Sequence, residues 1–389
     1  MSILQKFSTD LLKPLVLIVF SFFTINCGGK KDEPFIPTPP KVVSYTSLDA
    51  TNAINSFNNY LFDPVRKLYF RDSGKPVNVG AIWTQAIYWD IAMNAYKRTK
   101  SAENLQFMED IYEGCNNYYA QYDWVNKPTV WFIYDDIMWW VISMARAYEI
   151  TGDQKYLDHS ISGFHRVWYG SPGIDTGSYD PVNGGMLWNW VKGDNGKMSC
   201  INYPTVIAAM TLFNITKDST YYNKATTIYK WAHDNLFDSQ LGRVADSRHG
   251  SSNDWTVHVY NQATCIGAAM MLYKATNNQN YLNEAILTAN YTKNVMCDVN
   301  GILPYENGEE QGVYTAILAQ YMTRLIEDGN RPDYLTWLRA NINTAWGNRD
   351  VTRGLTTKNY NISCPVNSII SCYDASGIVA LMQVCPPAQ

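Results

Sequence analysis

The stretch Tyr148-Glu-Ile-Thr-Gly-Asp-Gln-Lys-Tyr-Leu157 sets the pattern for much of this chain. A ring stands three residues before a threonine, and five residues after that threonine comes Tyr156, followed by Leu157. The same punctuation recurs at Tyr96-Lys-Arg-Thr99 with Asn104 and Leu105, at Phe213-Asn-Ile-Thr216 with Tyr221 and Tyr222, and at Tyr273-Lys-Ala-Thr276 with Tyr281 and Leu282. Successive threonines are 52, 65 and 60 residues apart. Apolar residues recur at steps of three and four on both sides of each copy, the spacing of one helix face. Each copy therefore reads as a helix ending in a ring, a short polar turn, and a second helix that opens on an apolar pair.

Between these units lie long irregular stretches, Asp123 to Tyr134, Tyr169 to Lys197, Asp238 to Val257 and Cys297 to Glu309, which hold most of the Gly and Asp outside the helices. Further helices are expected near Ser47 to Tyr60, 310–327, 332–346 and 369–383, about twelve in all. Twelve helices in six hairpins suggest an all-α toroid, an (α/α)6 barrel with an inner ring of helices inside an outer one. The competing architecture is an open solenoid of helical repeats. Solenoids repeat at nearly constant length, whereas here the spacing varies by more than ten residues and large loops collect between units. Closure is therefore the expectation, with the short turns at one end of the barrel and the long loops building a cleft at the other.

The amino terminus reads as an address. Lys6 and Lys13 precede an apolar run from Leu15 to Ile25, of secretory length and short for a membrane span. Thr24-Ile-Asn-Cys-Gly-Gly29 resembles a bacterial lipoprotein cleavage site, with residues 1–27 as signal and Cys27 as the acylated residue. Lys31-Asp-Glu33 resembles the acidic tether signal of surface-displayed lipoproteins, which implies the outer membrane, at the cell surface or facing the periplasm. Residues 28–44, with Gly28, Gly29, Pro34, Pro37, Pro39 and Pro40, form a semi-rigid tether, and residues 45–389 a single domain. Seven cysteines remain after Cys27, an odd number, so at least one is unpaired in the monomer. Cys364 and Cys372 bracket a short Pro-containing loop and are the candidate disulfide, while Cys200 and Cys265 lie in apolar helical patterns and read as buried thiols.

With 31 Lys and Arg against 35 Asp and Glu, the net charge is -4, and no basic run lies outside the extreme N-terminus, which argues against nucleic acid. The chain is rich in rings, with 13 Trp, 28 Tyr and 13 Phe, against 17% charged residues. Most rings belong in a core, and the surplus fits a cleft that holds a neutral, polyhydroxylated ligand. The five histidines are scattered and no cysteine spacing suggests zinc, so neither metal nor cofactor is expected.

Within this frame Tyr134-Asp-Asp-Ile-Met-Trp-Trp140 places two consecutive carboxylates among rings at the junction of the first long loop and a helix from Ile137 to Glu149. One reading is a helix N-cap with favourable first-turn charge. The other is a pair that cleaves glycosides, one acid ionised for attack and its neighbour kept protonated by burial and by that charge.

Tyr134-Asp-Asp-Ile-Met-Trp-Trp140, followed by Ala147-Tyr-Glu-Ile-Thr-Gly-Asp153, resembles the central motif of glycoside hydrolase family 76. Gly184-Gly-Met-Leu-Trp188, Lys197 through Asn202, Val244-Ala-Asp246 and Tyr260-Asn-Gln262 follow in the family's order, and the likeness spans residues 45 to 385. The resemblance implies an (α/α)6 barrel and a retaining, endo-acting α-1,6-mannanase whose partner is the polysaccharide α-mannan. It implies Asp135 as nucleophile and Asp136 as general acid and base. It implies Asp246 as a carboxylate facing substrate, Tyr134, Asn202, Tyr260, Asn261 and Gln262 along the cleft, and Trp188 as a sugar platform. Ala263 stands where family members carry glycine. The molecule is expected to be a monomer that meets the membrane only through its lipid. Two other classes share parts of this pattern: a non-catalytic surface glycan-binding lipoprotein, and another α/α-toroid enzyme such as a polysaccharide lyase or unsaturated uronyl hydrolase. The first does not require paired acids, and a lyase acting on acidic glycans calls for more basic residues in the cleft loops.

Overall fold

The structure, a computed structural model, describes residues 44–190 and 196–388. The expected signal, Cys27 and nearly all of the expected tether, residues 28–44, lie outside the described residues. Twelve α-helices follow in chain order: α1 (Ser47–Leu61), α2 (Ile82–Thr99), α3 (Ala102–Tyr118), α4 (Tyr134–Thr151), α5 (Gln154–Tyr169), α6 (Ser199–Thr216), α7 (Ser219–Leu236), α8 (Val259–Thr276), α9 (Gln279–Tyr291), α10 (Tyr314–Glu327), α11 (Tyr334–Gly347) and α12 (Cys372–Val384).

The recurring threonine is the last residue of α2, α4, α6 and α8, each 18 residues long. Its hydroxyl does two things. In Thr99, Thr151, Thr216 and Thr276 it donates to the carbonyl four residues back at 2.7–2.9 Å. It also accepts the backbone N–H two residues on at 3.2–3.3 Å. The residue between, Lys100, Gly152, Lys217 or Asn277, is left-handed, with φ of 55°, 71°, 62° and 56°. Its N–H closes on the carbonyl of the ring residue, Tyr96, Tyr148, Phe213 or Tyr273. That is the left-handed helix stop, which satisfies carbonyls the helix leaves open. Ser101, Asp153, Asp218 and Asn278 then cap the next helix by accepting a first-turn N–H. The repeat read from the sequence is thus a C-cap joined directly to an N-cap.

The even-numbered helices form the inner ring, each packing on the next, and α12 packs back on α2 to close it. This closure rules out an open solenoid. Arg98 at the end of α2 ties it off, donating to Gln383 on α12 at 3.0 Å and to Thr51 on α1 at 3.2 Å. The hairpins differ from six equal copies in two respects. The sixth pair joins the two ends of the domain, α12 with α1, through Gln383 Nε2 to the Ala50 carbonyl at 2.9 Å. The fifth pair splays, so that α11 lies against α12, and Tyr334 at its start donates to Asn290 on α9 at 2.8 Å.

Many of the rings fill the wall between the two layers. Trp89, Tyr112, Tyr122, Trp124, Trp131, Trp140 and Tyr156 are buried and, apart from Tyr112 stacked on Tyr122, meet edge-on or tilted at centroid distances of 4.4–6.2 Å. Inside the barrel Asp90 on α2 pairs with Arg146 on α4 at 2.6 Å, and Asn94 links Arg146 to Gln320 on α10. Three inner helices are thereby pinned through polar groups, and removing Asp90 or Arg146 alone would strand a buried charge.

A small antiparallel sheet interrupts the helical pattern: β1 (Lys197–Met198), β2 (Ser247–His249) and β3 (Ser252–Asp254), in that order across the sheet. It joins the loop before α6 to the loop before α8. The expected disulfide does not form. Cys372, the first residue of α12, accepts a hydrogen bond from the Tyr88 hydroxyl at 3.1 Å inside the core, while Cys364 Sγ faces the Pro365 carbonyl at 3.8 Å. All seven described cysteines are free, and Cys200 and Cys265 are buried as expected.

Candidate active site

Helix α4 begins three residues earlier than the periodicity indicated, because Tyr134 is anchored from behind. Its hydroxyl donates to Asp175 at 2.7 Å, and Arg166 on α5 holds both oxygens of Asp175 at 3.0 and 2.6 Å. Its backbone N–H donates to the Trp188 carbonyl at 3.0 Å, where Ile133 and Asn189 also pair as a short bridge. The N-cap is Ile133, in extended backbone and without a side-chain cap. Asp135 and Asp136 are therefore the second and third residues of the helix, and neither caps it.

Both acids open on a cleft of about 530 Å³, lined also by Trp83, Trp139, Trp188, Cys200, Asp246, Tyr260, Glu310 and Tyr314. Both residues are half-buried, and protein atoms pack densely around their carboxyls. That burial outweighs the helix N-terminus, which favours charge, and raises both carboxyls above the usual range. The two are not equivalent. At Asp135 the Cys200 thiol and the Trp188 indole act as donors and hold the rise back. At Asp136 the charges of Asp135 and Glu310 add to burial, so Asp136 is the more strongly raised. Asp135 is thus the better anion, Asp136 the better acid, and Asp135 Oδ1 is buried with no hydrogen-bond partner among the described residues.

The other residues expected from the sequence separate into two groups. Trp188 lines the cleft, as do Asp246 and Tyr260. Asp246 sits immediately before β2, with its N–H on the Asp254 carbonyl and its own carbonyl accepting from Ser199, so the sheet aims it. Asn261 is buried and donates to Asp246 Oδ1 at 3.0 Å, standing behind the cleft. Tyr134 is buried too, as the anchor of α4.

Asn202 and Gln262 do not reach the cleft. Asn202 brackets Met186, accepting from its N–H at 2.9 Å and donating to its carbonyl at 3.1 Å. Gln262 accepts from Val244 N–H at 2.6 Å and donates to the Gly242 carbonyl at 2.9 Å. Gln85 does the same for Tyr69 at 3.0 and 2.9 Å. Each is the fourth residue of an inner helix, and each satisfies backbone groups of the segment that crosses the rim beside it. Ala263 is fully buried and also off the cleft.

Gly184 and Gly185 hold the Trp188 loop close to α7. Both have positive φ, 71° and 76°, and a Cβ on either would lie 2.6 Å from the Trp231 ring.

Trp83, Cys200, Glu310 and Tyr314 were not singled out from the sequence as cleft residues. Glu310 accepts from Trp83 Nε1 at 2.7 Å. Tyr314 stacks on Tyr260 with ring centroids 3.9 Å apart. For Trp83 and Cys200 a signal existed: counting back sixteen residues from Thr99, Thr151, Thr216 and Thr276 gives Trp83, Asp135, Cys200 and Tyr260, the second residue of each 18-residue helix.

The model of glycosyl hydrolase family 76 matches residues 49–377 of this sequence. The chain belongs to glycosyl hydrolase family 76. Among solved structures, this family 76 chain is similar to the α-1,6-mannanase of Salegentibacter sp. HEL1_6, at 25% identity and a TM-score of 0.76, over 87% of this chain and 98% of that one. A family 76 mannosidase from Bacteroides thetaiotaomicron shares the fold at 18% identity and a TM-score of 0.70, over 87% of this chain and 96% of that one. So does Dfg5 from Chaetomium thermophilum, at 14% identity and a TM-score of 0.67, over 91% and 93%. No curated protein sequence matches the chain.

Proposed function

We propose that this family 76 protein is a retaining endo-α-1,6-mannanase, with Asp135 as nucleophile and Asp136 as acid and base. The observation that carries the reading is the inequality of two adjacent carboxyls that line one cleft: Asp136 raised by burial and by the charges of Asp135 and Glu310, Asp135 buffered by two donors. Variants of the Salegentibacter enzyme lacking two consecutive aspartates are inactive and have been captured with α-1,6-mannotetrose and α-1,6-mannotriose, which supports the same pair here.

In the first step Asp136 gives its proton to the glycosidic oxygen as the C1–O bond breaks, and the Asp135 carboxylate bonds to C1 from the opposite face. The leaving chain departs as an alcohol. Water then attacks C1, its proton passes to Asp136, and the ester to Asp135 breaks, so two inversions return the original anomer. Trp83, Trp139 and Trp188 offer flat faces to the apolar sides of the sugar rings.

Incubation of the protein with linear α-1,6-mannan is expected to release short mannosides whose fresh reducing ends are α by proton NMR before mutarotation. Fresh β-ends would overturn retention. Binding without any product would favour the glycan-binding lipoprotein over the enzyme. The signal and Cys27 support export as a surface lipoprotein; labelled palmitate should enter the chain in its native host and fail to enter Cys27→Ser, and equal labelling of both would remove the anchor.

A further inference from the structure

Behind Asp246 stands a pair that neither the sequence motifs nor the two acids account for. His258 is the residue before α8, and Glu306 lies in the long loop between α9 and α10. Glu306 uses both oxygens: Oε1 accepts the Val259 N–H at 2.9 Å, and Oε2 bonds to His258 Nδ1. This fixes the imidazole plane and leaves Nε2 directed at Asp246 Oδ1, 3.8 Å away. The same oxygen accepts from Asn261 at 3.0 Å. The ring sits beside Tyr260 and Tyr314, at centroid distances of 6.0 and 5.7 Å, and these are the stacked pair on the cleft wall. Only Asp246 of the three titratable groups opens into the main cleft.

We propose that His258 and Glu306 form a positioning pair for Asp246, presenting it to the bound glycan as an ionised, oriented acceptor of sugar hydroxyls. The proposal rests on the mannanase reading for the identity of the glycan. With Nδ1–H given to Glu306, a neutral ring would aim its Nε2 lone pair at the Asp246 carboxylate. A protonated ring aims an N–H there instead and supplies the opposite charge. Burial disfavours the charged ring, but Glu306, Asp246 and Asp254 face it with negative charge and raise His258 above the ordinary histidine range. Burial raises Asp246, while the His258 charge and the Asn261 donor pull it back toward the ionised form. The charge on His258 is present below its pKa and is lost as pH rises through it. Binding through Asp246 should then weaken on the alkaline side. Asp246 stays ionised there, so what is lost is the N–H that fixes the direction in which its oxygens meet the sugar hydroxyls.

The test uses the full chain as wild type, His258→Gln and Glu306→Gln, with kcat and KM on linear α-1,6-mannan measured across pH and the imidazole resonances followed by NMR. The glutamine at 306 keeps an acceptor for the Val259 N–H and removes only the charge. His258→Gln is expected to raise KM about tenfold, the equivalent of one charge-assisted contact, with kcat changed much less. Glu306→Gln should move the alkaline rise in KM to lower pH and lower the pH at which the His258 resonance titrates. That resonance is assigned by its loss in His258→Gln. Wild-type KM across pH in both variants would overturn the proposal, as would a His258 titration unchanged by Glu306→Gln. A wild type that leaves mannan uncut overturns the mannanase reading, and the NMR comparison alone then decides whether Glu306 holds the imidazolium.

Discussion

Replacement of Asp135 by asparagine is expected to lower kcat on α-1,6-mannan by about 10⁴-fold or more, the scale on which removing a nucleophile acts. Asp136→Asn should cost about 10²–10⁴-fold, the usual contribution of a placed general acid. The two losses should differ in kind as well as size. An aryl mannoside whose leaving group needs no proton bypasses the acid in the first step, so Asp136→Asn should regain glycosylation as a burst of phenol. Asp135→Asn has no nucleophile to regain and should remain inert. Asparagine is close in shape to aspartate, so circular dichroism should match wild type. A rate within tenfold of wild type in either variant would remove that residue from its role, and recovery of the Asp135 variant on the aryl substrate would exchange the two assignments.

The largest stability effect is expected behind the site, at Arg166. Its guanidinium is fully buried, holds both oxygens of Asp175 and donates to the Trp124 carbonyl at 3.0 Å. Asp175 in turn receives the Tyr134 hydroxyl and the Gly177 N–H. Arg166→Met leaves a carboxylate buried with its main counter-charge gone, and the loss should be about 3–5 kcal/mol in urea unfolding. Adding Asp175→Leu should recover a large part of it, because the stranded charge, rather than the missing attraction, dominates the loss. A single-variant loss below about 1 kcal/mol would contradict this account. Since Tyr134 precedes Asp135 directly, the double variant should remain less active than its stability suggests.

The fold was legible because its turns are chemical. A threonine that closes one helix and feeds the next leaves a mark in the sequence, and four such marks at irregular spacing called for a closed ring with loops on one side. Asp135, Asp136 and Asp246 were legible through the company they keep. Asn202 and Gln262 lie on the expected helices but serve loop backbone instead of substrate. A single helical step is enough for that change: Tyr260 lines the cleft, Asn261 stands behind it, and Gln262 turns to the rim loop. Glu306 and Glu310 lie in the one segment before α10, far along the chain from His258, and none of the three carries a periodic signature, so only the folded rim brings Glu310 to the acids and the His258–Glu306 pair to Asp246. The expected Cys364–Cys372 bridge failed because spacing says nothing of direction, and the first residue of α12 turns inward to Tyr88.

The equal length of α2, α4, α6 and α8 makes the reactive layer a matter of phase. Each helix is held at its far end by a cap, so its second residue lies about 24 Å away and at a fixed angle. Removing a single residue between Asp136 and Thr151 would draw the acids down about 1.5 Å and turn them by about 100°. Trp83, Cys200 and Tyr260 would stay where they are. The ring thus tolerates exchange of side chains within a helix while forbidding any change in their count, and only the rim loops are free to grow.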